Sequence, residues 1–119
     1  MKYPPEWRER EFLDWLHSQP CVVSGYIMSE LGGPGVDPAH TRFGLYGRGM
    51  KPPPWHAQPL RHELHLEQGA TTEPKFWRKR ADDHLLMDAI KAHGERRYLH
   101  WAQDKGMDLN EVARWMRER

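Results

Sequence analysis

Asp37-Pro38-Ala39-His40-Thr41-Arg42 leads into Gly44-Leu45-Tyr46-Gly47-Arg48-Gly49-Met50-Lys51, and Pro59-Leu60-Arg61-His62-Glu63-Leu64-His65 follows. The first stretch reads as a short strand, residues 36 to 42, that delivers His40 to one face. By strand alternation Asp37 and His40 point to opposite faces unless the strand bulges. The second stretch is rich in glycine and runs into Pro52-Pro53-Pro54, so Phe43 to Trp55 is expected to cross the surface as a long basic loop. The third reads as a helix of about ten residues, with Pro59 tolerated in its first turn and Gly69 as terminator. Leu60 and Leu64 mark its buried stripe, which leaves His62 and His65, three apart, as neighbours on another face.

Working outward, Glu6 to His17 predicts a helix: Pro4-Pro5 precedes it, Phe12, Trp15 and Leu16 share a face, and Ser18-Gln19-Pro20 stops it. Cys21 to Met28 holds Val22, Val23, Tyr26 and Ile27, which predicts a short strand and turn, antiparallel to the 36–42 strand. Pro74 opens a basic turn or helix containing Phe76-Trp77-Arg78-Lys79-Arg80. Asp82-Asp83 can cap a helix through about His93, and Gly94 is expected to separate it from a second helix near Glu95 to Lys105. Asp108 with Glu111 makes a capping-box start for a last helix carrying Leu109, Val112, Ala113 and Met116. Trp101 and Trp115 are expected in the core. His56, beside Trp55, reads as the end of the loop.

Composition bounds what such a chain can be. Its 119 residues suit one domain, and 38% apolar with 29% charged residues and six tryptophans favours folding over disorder. No run approaches the ~18 apolar residues of a membrane span, and no hydrophobic stretch follows Met1-Lys2-Tyr3-Pro4-Pro5, so a soluble cytoplasmic protein without a membrane partner is expected. Cys21 is the only cysteine, which excludes an internal disulfide and a multi-cysteine zinc site and suits a buried thiol. Net charge is +1, but residues 38 to 80 hold eight basic and three acidic side chains, and no acid falls between Pro38 and His62. The histidine segment is therefore also the basic one, as suits a polyanion.

Phosphodiester hydrolysis needs an activated water, a cation to neutralise growing charge, and positive contacts that hold the backbone in line. His40, with an ordinary pKa of roughly 6.5, can accept the water's proton near neutral pH. His62 and His65 can ligate one divalent ion, Asp37 can add a carboxylate, and Arg42, Arg48, Lys51 and Arg61 can grip phosphates. One cysteine and no thiolate set favour Mg²⁺ or Mn²⁺ over bound zinc.

Residues 20 to 77 resemble the HNH endonucleases, and within them the small phage and prophage branch that includes recombination-associated nucleases. The resemblance lies in Pro20-Cys21-Val22-Val23-Ser24-Gly25, Val36-Asp37-Pro38-Ala39-His40, Gly47-Arg48-Gly49-Met50-Lys51-Pro52-Pro53, Pro59-Leu60, the His62/His65 helix and Phe76-Trp77. It implies an α+β fold with a small ββα-metal core, a short hairpin plus a metal-binding helix, over 20–77. Residues 1–19 and 78–119 would surround that core as a helical scaffold. It implies a strand histidine as general base, one Mg²⁺, Mn²⁺ or similar ion on the helix histidines, and DNA, branched or single-stranded, as substrate in a bacterial host cell. Phage or host recombination proteins are the implied protein partners.

Three departures shape the alternative. Ser24 and Arg61 stand where many members carry cysteines, so no structural zinc is expected. Pro54 stands where the family often has an acidic residue, and Gly69 lies four after His65, where a second helix histidine is common. Those positions favour an HNH-derived module that binds DNA or a host protein without cutting it, whereas His40 together with His62 and His65 favours the nuclease.

Overall fold

The computed structural model describes residues 6–32, 35–43, 52–79 and 85–118. Helix α1 spans Glu6–Leu16 and buries Phe12 and Leu16 completely, one turn apart on one face. Its C-terminal end is stitched to the approach of the first strand. The His17 Nδ1 donates to the Val36 carbonyl at 2.7 Å, and the Val36 amide returns a bond to the His17 carbonyl at 3.2 Å.

Strand β1, Asp37–Ala39, pairs antiparallel with β2, Gln58–Leu60, in the register Asp37 to Leu60, Pro38 to Pro59 and Ala39 to Gln58. The expected partner, residues 21 to 28, is instead a turn: the Cys21 amide donates to Tyr26 O at 2.9 Å, and Gly25 takes φ +79°. One bond ties that turn to β2, from the Val22 amide to Pro59 O at 2.8 Å. Both strands stop at three residues, and the facing prolines have no N–H with which to extend the ladder.

The proline run does not cross the surface. From Pro52 to Leu60 every residue is buried, with a single 3-10 turn over Pro54–His56. Trp55 anchors it among aromatic rings, with centroids 5.0 Å from Trp115 and 5.5 Å from Tyr98 in edge-on geometry. Burial here follows from composition: prolines lack amides that would need partners, and the indole gains more from the core than the backbone loses. His56 is 2% exposed and belongs to the core.

Helix α2, His62–Gly69, is eight residues long and starts later than the proline signal suggests, because Pro59 is taken up in β2 and Arg61 occupies the cap position. Helix α3, Glu73–Arg78, begins at Thr72, whose hydroxyl accepts from the Lys75 amide at 3.4 Å, and buries Phe76 and Trp77.

Helix α4 runs unbroken over Leu85–Asp104, so Gly94 separates nothing. A Cβ at Gly94 would lie 2.6 Å from the Trp55 carbonyl oxygen and 3.0 Å from the Gln58 side-chain nitrogen, Nε2. Glycine therefore serves close approach of α4 to the buried 55–58 segment rather than helix termination. The Asp82-Asp83 cap lies outside the described residues. Helix α5, Leu109–Glu118, opens as its sequence indicates, with Asp108 Oδ1 accepting from the Asn110 and Glu111 amides at 2.9 and 3.4 Å.

The result is a mixed α+β fold of five helices and one two-stranded antiparallel sheet among the described residues. Buried side chains form two clusters. One joins Phe12, Leu16, Trp55, Tyr98, Trp101, Val112 and Trp115; the other joins Cys21, Val36, Ala39, Leu60, Leu64, Phe76, Trp77 and Ile90. Helix α4 contributes to both. No described helix is long and apolar enough to cross a membrane.

Candidate functional site

Helix α2 follows β2 after a single residue, so its orientation is set by the sheet. Leu60 and Leu64 are drawn into the second cluster, which turns the opposite side of the first turn toward β1. There His62 Nδ1 and His65 Nδ1 donate to one carboxylate oxygen, Asp37 Oδ2, at 2.8 and 2.9 Å. Three sequence-predicted residues separated by 25 and 28 positions thus meet at one atom. The group is open to ligands: Asp37 is 27% exposed, His65 40% and His62 61%.

Partial burial alone would raise the Asp37 carboxyl, but the hydrogen bonds from His65 and His62, with their charge when protonated, outweigh it and hold it below the ordinary range. Asp37 is consequently an anion throughout the neutral range. One carboxylate and two imidazoles are donors of the kind divalent ions take. They are arranged to satisfy one another: both ring nitrogens point at the carboxylate oxygen. Among the described residues no group of three or more His, Cys, Asp or Glu side chains is spread around a common vacant point as a ligand set would be.

His40 stands exposed just past the end of β1. The chain on its C-terminal side is fixed by contacts that local sequence does not announce. Thr41, fully buried, donates to the Ala39 carbonyl and accepts from Gln68 of α2, each at 3.2 Å. Glu73, the first residue of α3, accepts the Arg42 amide on Oε2 at 2.8 Å and the Phe43 amide on Oε1 at 2.9 Å. Phe43 holds a positive φ of 54°, a conformation costly for a non-glycine residue, and the two-oxygen clamp offsets that cost. Glu73 is thus a positioning residue for the segment that carries His40.

Glu73→Ala is expected to lower stability by about 2 kcal/mol, because two amides lose a charged acceptor and the strained Phe43 backbone loses its hold. Urea denaturation measures it. A change within about 0.5 kcal/mol, the scatter of ordinary surface substitutions, would remove the clamp from the account.

No protein-family model, curated protein or solved structure matches this chain. Its chemistry is therefore read from the site alone.

Of the predicted phosphate contacts, Arg42 is exposed beside the Glu73 clamp. Arg61 is half-buried at the head of α2, its Nε 3.8 Å from a Glu63 carboxylate oxygen. Arg48 and Lys51 lie outside the described residues. Sequence reasoning does not reach Glu73, Thr41 or Gln68. Thr72-Glu73-Pro74 does signal a helix start, but the use of the Glu73 carboxylate by the distant Arg42 and Phe43 amides has no local trace.

Proposed function

We propose that this chain is a metal-dependent DNA endonuclease or nickase of the HNH type, with 20–77 as its ββα-metal core. The observation that carries this reading is the meeting of Asp37, His62 and His65 at one oxygen, at the junction of β1, β2 and α2 and near the strand end that bears His40. The carboxylate suits Mg²⁺ or Mn²⁺, and the two imidazoles favour the softer Mn²⁺ of the pair. Asp37, His62 and His65 would hold the ion, exchanging their two mutual hydrogen bonds for it.

A bound divalent ion supplies positive charge to the scissile phosphate and its leaving oxygen. His40 takes the proton of the attacking water, a role that an exposed imidazole can fill near neutral pH. Thr41 and Glu73 keep the backbone around His40 from drifting, so that the base need not be reordered in each turnover. Arg42 and Arg61, with Arg48 and Lys51, hold the DNA backbone by charge.

A second reading is a module that holds DNA, or a phage or host recombination protein, without cutting. It is favoured by the mutual satisfaction of the three side chains, and by Pro54 and Gly69 where an acid and a further histidine would strengthen a metal site.

Nicking of supercoiled and branched DNA with added Mg²⁺ or Mn²⁺ tests the proposal. Cleavage is expected with either ion and not in EDTA, and Asp37→Ala is expected to abolish it, because one substitution removes a ligand and frees both histidines. Absence of cleavage by the unmodified chain under every divalent metal would replace the nuclease with the binding module.

A further inference from the structure

The face of α4 that meets the end of α1 and the 19–22 turn carries His93, Arg96, Arg97 and His100, spaced i, i+3, i+4, i+7 and so aligned along one stripe. With Trp15 and Gln19 they line a hollow of about 540 Å³, and none of its lining residues is acidic. An adjoining hollow of about 320 Å³ shares Val22, His93 and Arg96 and extends the trough toward Ala89 and Ile90. Residues 81–119, which include α4, hold seven basic and eight acidic side chains, so a count over the segment conceals this basic face.

The charges of this stripe are poorly neutralised. Among the described residues no carboxylate pairs with Arg96 or Arg97, and Arg97 reaches only the Gln58 side-chain oxygen, at 3.5 Å. Burial lowers Arg97 to about 10, which leaves it cationic at neutral pH. His93 is held down first by burial and then by Arg97 and Arg96, so it is neutral there and serves as a hydrogen-bonding group. His100 Nε2 lies 3.6 Å from Asp104 Oδ2, an exposed contact that water or an anion can displace. Trp15 is half-buried, its ring centroid 5.7 Å from that of Phe12, and it forms one wall of the trough.

We propose that this trough is a binding groove for single-stranded nucleic acid, with backbone phosphates on Arg96, Arg97 and His100 and an unpaired base against Trp15. Cations tracking a backbone, interleaved with an aromatic platform, are the physical requirements for binding a strand whose bases are free to stack. A duplex keeps its bases inside and offers nothing to Trp15. The groove needs no metal and does not rest on the nuclease reading.

The test is fluorescence anisotropy of a labelled oligothymidylate titrated with the full chain in EDTA, across a salt series, with circular dichroism as the check on folding. Arg96→Glu combined with His100→Glu, both at exposed positions, is expected to weaken binding about 10-fold or more. It should also flatten the dependence of log K on log salt by about 0.7 for each phosphate that is no longer neutralised. Trp15→Phe is expected to weaken binding several-fold while leaving the salt slope unchanged, since it removes stacking area and no charge.

Failure of the unmodified chain to bind the oligonucleotide overturns the groove. So does a folded Arg96→Glu/His100→Glu variant with unaltered affinity and slope. Complete displacement by inorganic phosphate, at a concentration equal to that of the oligonucleotide's phosphates, would reduce the trough to a site for small anions and likewise overturn it. Loss of cleavage with binding in EDTA intact would count against the nuclease alone.

Discussion

His40→Ala is expected to reduce DNA cleavage by about 10²-fold or more while leaving folding and DNA affinity nearly intact. The side chain is exposed, so its removal opens no cavity, and the backbone around it is held by Thr41 and Glu73. The loss in rate is that of the proposed proton acceptor. His65→Ala should behave differently: its ring donates to Asp37 and is a proposed ligand, so both metal affinity and rate should fall. Single-turnover nicking across a Mn²⁺ titration separates the two. His40→Ala lowers the plateau without moving the midpoint, and His65→Ala moves the midpoint to higher metal. An unchanged plateau for His40→Ala would eliminate the base, and identical behaviour of the two variants would eliminate the division of labour.

Acidification is expected to cost the fold about 3 kcal/mol between pH 6.5 and 4, through His56. Burial first, and then the nearby Lys91 charge, push this imidazole down to about 4 against a small opposing effect of Glu95. The unfolded chain takes up a proton near pH 6.5 and the folded chain does not until about 4. Within that window the unfolded state binds more protons, so stability falls as pH drops; above it neither state is protonated there and the dependence vanishes. Asp37 adds a second, lower limb: its depressed carboxyl contributes stability that is lost as pH falls below the ordinary value of 3.8. Urea midpoints followed from about pH 7 down to about 4 should show the upper limb, and His56→Gln should flatten it even where it lowers stability overall. A flat profile in the unsubstituted protein would mean that His56 is protonated without cost.

How much of the fold is legible in the chain follows the range of the forces involved. The α1 boundaries, the starts of α3 and α5 and the shared face of His62 and His65 rest on caps and helical spacing, which act within a few residues, and the structure bears them out. The partner of β1 escapes a local reading because pairing between two three-residue strands depends on distant chain. Pro38 and Pro59 also mask any strand signal. Pro59 resembles a helix start for the same reason: the ring fixes φ but does not say which element will use it. Gly94 resembles a breaker because its role lies in Trp55 and Gln58, far away along the chain. The Asp37 carboxylate is a candidate ligand by type, but its meeting with both histidines at one oxygen requires the register of β1 on β2.

The two anchors on either side of residues 44–51 bear on how such a chain can change over generations. Phe43 is tethered by the Glu73 carboxylate, and Pro52 is already buried, so the chain is held on both sides of residues 44–51. The hold on Phe43 takes its acceptor from α3, so it does not depend on the side chains of residues 44–51. Exchanged charges in that stretch of sequence therefore leave the Glu73 clamp both of its amides. Selection can change those charges without disturbing the clamp.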